Sequence, residues 1–137
     1  MANEANIWIV NDGPRNVVLQ FEGRIDTSDY ASTVLVDPAA LAGIDNTGLV
    51  KAKELAIERI VFNVEPPLAF ELWWDATTPI RIGDLTAQGH KEYADFQGLP
   101  NQAGAGKTGK ILYSSQGWST GAILSISMVM RLRKVQG

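Results

Sequence analysis

At 137 residues, 45% apolar and 20% charged, the chain has the size and composition of one globular domain with a core of its own. It contains no cysteine, which excludes a disulfide scaffold, a thiolate zinc site and a cysteine nucleophile. Its net charge of −3 speaks against a nucleic-acid partner, and no apolar run approaches the roughly 20 residues of a membrane helix.

The opening MANEANIWIVNDG lacks the basic start and long apolar stretch of a signal peptide. The chain is therefore expected to be made in the cytoplasm and to leave it only by lysis or inside a particle. Residues 1–5 are short and polar and are expected to form a flexible arm, with 6–137 a single β domain. IWIV reads as a strand in which Trp8 points away from Ile7 and Ile9, free to face a neighbour. Asn11-Asp12-Gly13-Pro14 is turn chemistry. In NVVLQFEGRI, Val17, Leu19, Phe21 and Ile25 share one face, and Gln20, Glu22 and Arg24 the other. That alternation marks a strand with one buried and one wet side.

STVLV reads as a further strand, and Asp37-Pro38-Ala39-Ala40-Leu41 as one helical turn, with Asp37 as N-cap and Pro38 at N1. Asp45-Asn46-Thr47-Gly48 is a turn. ELAIERIVFNV has helical spacing at Leu55, Glu58 and Arg59, but its continuation favours a strand. Glu65-Pro66-Pro67 is expected to end it with a turn. LAFELWWD then sets Leu68, Phe70, Leu72 and Trp74 on one face. PIRIGDL is a strand, QGHKEY a loop holding the only histidine, and KILYSS and ILSISMVMRLRK the closing strands. About eight short strands and one short helix give an all-β fold, an antiparallel sandwich or barrel-like domain.

Several motifs promise chemistry that their contexts withhold. Gly106-Lys107-Thr108 closes a phosphate-binding loop, but Asn101 stands where the loop needs its first glycine, and the β-prone ILYSS follows where a helix is required. The stretch reads as a Gly-rich connection between strands. Gly117-Trp118-Ser119-Thr120-Gly121 matches the nucleophile elbow letter for letter, yet no acid or histidine follows it and a strand replaces the elbow's helix. It reads as a tight hairpin between KILYSS and AILSISM. One histidine without cysteine does not build a zinc site. Asp26-Thr27-Ser28-Asp29 lacks calcium-loop spacing and suits local bonds at a strand end. No catalytic residue, cofactor or metal is expected, and the protein is read as not an enzyme.

What remains is surface. Residues 1–95 hold all 15 acidic side chains and 7 basic ones, and residues 96–137 hold 5 basic and none acidic. Chance and sheet geometry account for this, or complementary faces meet between copies or partners. Trp73 lies among Glu71 and Asp75 on the wet side of its strand, opposite Trp74, and an aromatic there suits an interface anchor. Trp8, Trp73, Trp118, Arg131 and Arg133 are the candidate partner-interface residues.

IWIVNDGPRNVVLQFEG, LAFELWWDATTPIRIGDLTAQGH and DFQGLPNQAGAGKTGKILYSSQGWSTGAILSISMVMRLRK together resemble small virion structural proteins of tailed bacteriophages. In such proteins a Trp-bearing strand leads to an I-x-x-L-x-x-x-G segment, a Gly-rich link with K-T-G and a closing hairpin ending in basic residues. The resemblance implies a capsid decoration (cement) protein, a homo-oligomer of two or three copies bound to the major capsid protein on the outside of the virion. A tail or head–tail joining component and a carbohydrate-binding module using Trp73 and Trp118 are the alternatives, and a small hydrolase using Ser119 and His90 is a third.

Overall fold

The protein is described by a computed structural model over residues 3–43, 50–93 and 98–135. Seven strands and one 3-10 turn follow in chain order: β1 (Glu4–Asp12), β2 (Asn16–Ile25), β3 (Thr33–Val36), the turn Pro38–Ala40, β4 (Glu54–Trp74), β5 (Ile80–Glu92), β6 (Ile111–Gln116) and β7 (Leu124–Val135). The expected all-β, barrel-like fold is what forms. The single helical turn is 3-10 rather than α, capped as expected by the Asp37 carboxylate, which accepts from the Ala39 N–H. The turn expected at 45–48 lies outside the described residues.

All pairing is antiparallel, in the order β1-β2-β7-β4-β6-β3, with β5 added to β4. β4 organises the whole. Along one edge it carries β5; along the other it carries β7 beside its first half, Glu54–Val64, and β6 beside its second, Ala69–Trp74. The expected turn at Glu65-Pro66-Pro67 is therefore a bulge inside one 21-residue strand. Proline has no N–H for the ladder. Pairing with β5 jumps from Val64–Ala87 to Ala69–Thr86, with Ala87 at φ 59°, and resumes. Such an insertion bends a strand, so the two halves of β4 serve two parts of the barrel.

Two further expectations are corrected by this register. His90 is not in a loop, because β5 runs on to Glu92 and pairs His90 with Val61. Strands β6 and β7 are not a hairpin, since each takes its partners from β4 and from β3 or β2. The 117–123 link carries the chain from one half of β4 to the other. Gly117, at φ 97°, lies so close to the Pro67 carbonyl that a side chain would collide with it.

Alternation fills the centre. Val17, Leu19 and Phe21 of β2 pair with Leu132, Met130 and Met128 of β7, which pair with Ile57, Ile60 and Phe62 of β4, and all are buried. From the second half come Leu68, Phe70, Leu72 and Trp74, with Ile111 and Tyr113 of β6. The halves meet in an aromatic cluster in which Phe21 lies 4.9 Å from Phe70 and 5.1 Å from Tyr113, centroid to centroid. Burial, and then the neighbouring Tyr113, hold the Tyr30 hydroxyl well above its ordinary pKa. It donates to the Glu4 carbonyl, and Gly23 leaves the room for it.

Residues 3–5 are tied as well. Asn3, Glu4 and Ala5 were expected in the flexible arm, but Asn3 Oδ1 accepts from the Asp26 and Thr27 N–H groups, both at 3.0 Å. Asn3 Nδ2 donates to the Ser28 carbonyl at 2.7 Å, and Glu4 opens β1 opposite Arg24.

Candidate functional site: an open sheet face

The first half of the barrel has an outer face crossed by five strands. In the row through its middle, Trp8 pairs with Gln20, Gln20 with Val129, Val129 with Val61, and Val61 with His90. Cross-strand partners share a face, so these five side chains form one line. Its apolar members are open: Trp8 is 47%, Val61 42% and Val129 40% exposed. On one side runs a polar row of Asn6, Glu22, Ser127, Asn63 and Gln88; on the other lie Val18, Arg131, Arg59 and Glu92. A shallow groove of about 340 Å³ lies between β4, β5 and β7, lined among others by Asn63, Gln88, His90 and Ser127.

Two arginines at the margin of this face are already ion-paired. Arg59 pairs with Glu92 at 3.5 Å, and Arg131 Nε with Glu58 Oε1 at 3.1 Å. Glu58 is buried and also accepts from Asn16 Nδ2 at 2.6 Å. Lys134, whose side chain is fully buried, reaches Asp12 and the Ala42 carbonyl. Burial alone would raise the Asp12 pKa, but hydrogen bonds from Lys134 and the Ala42 N–H, with the charges of Lys134 and Lys51, outweigh it and hold Asp12 below its ordinary value. Lys107 pairs with Glu54. Three cations of the basic last part, Lys107, Arg131 and Lys134, thus bind acids of the acidic first part within one chain.

The candidate interface residues fall into different settings. Trp8 lies on the open row. Arg131 is beside it, ion-paired to Glu58, and Arg133 is half-buried at the margin opposite Asn16 and Ala56. Trp73 is on the other half of the barrel, where its own chain covers it. The Arg81 guanidinium lies 5.3 Å from the centre of its ring, and its Nε1–H donates to Ser114 Oγ at 3.0 Å. Beneath, the buried Glu71 accepts from Arg81, from Ser114 Oγ at 3.1 Å and from Gln116 Nε2 at 2.6 Å. Trp118 packs against the core with Nε1–H donating to the Ala122 carbonyl at 3.0 Å, and its backbone N–H donates to Asp29.

The motif residues are likewise placed. The Lys107 N–H donates to the Gly104 carbonyl and the Thr108 N–H to the Asp75 carbonyl, so amides that would cradle a phosphate are turned to the chain itself. Thr108 Oγ1 donates to Asp75 Oδ2 at 2.7 Å. At Gly109, φ 84°, a side chain would collide with the Lys53 carbonyl. Ser119 sits in the β6–β7 link, which begins against Pro67, whereas His90 sits in the β5 ladder opposite Val61. Asp29 spends its carboxylate on Ser115 Oγ and the Trp118 N–H. Among the described residues no group of three or more His, Asp or Glu is placed to hold a metal ion.

No protein-family model, no curated protein and no solved structure matches the chain. The open row was not readable as a unit from sequence, because its members come from five separate strands. The available signal was an apolar residue on the polar side of an alternating strand, present at Val129 in ILSISMVMRLRK and at Val61 in ERIVFNV.

Proposed function

We propose that this protein is an attachment protein of a virion, a capsid decoration protein of a tailed phage that binds the major capsid protein as a homo-oligomer and stabilises the shell. The observation that carries the reading is the open row Trp8–Gln20–Val129–Val61–His90, whose three exposed apolar side chains, Trp8, Val129 and Val61, lie in a polar surround that includes two ion-paired arginines. An apolar centre with a polar rim is the anatomy of a protein interface. The resemblance of the sequence to small phage virion proteins supplies the partner. A protein that binds only the assembled shell stabilises it by mass action, and repeated weak contacts multiply through avidity.

The test is co-sedimentation of the purified protein with capsids that lack it, comparing the natural chain with Val61→Lys. A charge at Val61 leaves the core untouched and should weaken capsid binding at least about tenfold, or 1.4 kcal/mol. Failure of the natural chain to sediment with capsids, or equal binding by Val61→Lys, contradicts the reading. Sedimentation with tails in place of heads would move the same face to a tail or head–tail joining role. Retention on a glycan column would favour the carbohydrate module.

A further inference from the structure

We infer that β1 is the edge through which two copies of this chain join, pairing antiparallel so that two open faces become one. The inference rests on the homo-oligomer of the proposed function and names the surface that makes it.

β1 is last in the strand order and pairs only with β2. Its second edge has no strand partner among the described residues, and such an edge presents a row of N–H and C=O groups ready to pair with another strand. Proteins guard these edges with lysine, proline, inward charge or a very short strand. The other two free edges follow that practice. β3 is only 4 residues long. β5 carries Arg81, Asp84, Lys91 and Glu92, and Gly83 lies in a break of its register with β4.

β1 has one register break, between Ile9 and Asn11, and no other guard between its ends. Ala5–Asn11 contains no charge and no proline, and four consecutive apolar residues, Ile7, Trp8, Ile9 and Val10, are 37%, 47%, 44% and 59% exposed. Ile7 pairs with Phe21 and Ile9 with Leu19, so the inward side of β1 continues the core past the point where this chain covers it. The exposure is on both faces of one strand, so a strand added beside it has apolar cross-strand neighbours to meet on either face.

The strand suits a second copy of itself. Antiparallel pairing about Trp8 would set Glu4 of one copy near Asp12 of the other. Glu4 already holds Arg24 at 3.1 Å, and Asp12 holds Lys134. The approach therefore brings no unmatched like charge, and the uncharged middle pairs with itself. A two-fold interface of this kind closes, leaving no further unguarded edge to propagate.

The experiment is light scattering on the full chain across a dilution series, with Ile9→Lys beside it. The natural chain should run as a dimer, and Ile9→Lys as a monomer with an unchanged circular dichroism spectrum. Because the chain has no cysteine, single variants Asn6→Cys, Trp8→Cys and Val10→Cys report the register. A symmetric disulfide should form readily at one of them and not at Gln88→Cys on the β5 edge. If Ile9→Lys fails to fold, this crosslinking decides alone. A natural chain that stays monomeric, a dimer that Ile9→Lys leaves intact, or crosslinking no better than at Gln88→Cys overturns the inference. A monomer that still decorates capsids would overturn it, and the homo-oligomer of the proposed function with it, while leaving the capsid-binding role standing. A dimer that never sediments with capsids would do the reverse.

Discussion

Trp8 and Trp73 occupy the same kind of position in sequence, an indole on the polar side of an alternating strand, and meet opposite fates. Opposite Trp73 the register brings Arg81 from β5 and Leu112 from β6, and the neighbouring Glu71 binds Arg81, Ser114 and Gln116. The face is closed by its own chain. Around Trp8 the register brings Gln20, and beyond it Val129 and Val61, none of which can cover an indole. An aromatic on a wet face becomes available to a partner only when its cross-strand neighbours leave it so.

The comparison can be broken in several places, and the largest effect belongs to the anchor under the open half. Asp12→Ala would leave the Lys134 ammonium, whose side chain is fully buried, with the Ala42 carbonyl as its remaining partner. Breaking a buried pair costs about 3–5 kcal/mol; with Asp12 partly exposed the loss should lie near the lower end, about 3 kcal/mol, and the midpoint of urea unfolding should fall accordingly. The same pair sets an acid limit. The folded pKa of Asp12 is lowered, so its stabilisation is present above the unfolded carboxylate value of about 3.9 and is lost as pH falls through the folded value. Unfolding between pH 2 and about 5 should show a shallower loss in Asp12→Asn than in the natural chain.

Next comes the closed face. Glu71→Ala leaves Ser114 and Gln116 without their acceptor and Arg81 with Asp84 alone and should cost about 2–3 kcal/mol, measured by the same unfolding. Glu22→Ala on the open face should stay within about 0.5 kcal/mol. Equal costs would mean that the two faces do not differ as described.

A smaller effect separates the two indoles. Trp73→Ala should lower stability by about 1–2 kcal/mol through the lost cation–π contact and hydrogen bond, with capsid binding kept. Trp8→Ala should change stability less and binding more, by about 2 kcal/mol if it is an anchor. The smallest stability change is expected for Val61→Lys, within about 0.5 kcal/mol, although its effect on capsid binding is large.

Much of the fold is legible in the sequence where local chemistry decides it. β2 and β7 alternate residue by residue, and apart from Val18, Val129, Lys134 and Val135 the buried set is the apolar set. Asp37 before Pro38 marks the 3-10 turn, and Trp74 falls in the core because it shares a face with Leu72 and Phe70. What escaped was decided by pairing. Glu65-Pro66-Pro67 reads as a stop, yet ladders on both sides carry β4 through it. His90 lies in a segment of polar and glycine residues that only its pairing with Val61 and its neighbours makes a strand. The uneven charge was open to chance and sheet geometry or to faces for other molecules, and Lys107, Arg131 and Lys134 find acids within their own chain. The site followed the same rule: Trp8 was visible as an outward residue, but the row it heads is a property of five strands in register.

The most direct test of the account is a reconstruction of virions carrying this protein. The account predicts density for the chain on the outside of the capsid, with Trp8, Val129, Val61 and His90 against the shell and the Trp73 face turned to solvent. Density in which the Trp73 face meets the shell and the Trp8 row is bare, or particles from which the chain is absent, would contradict it.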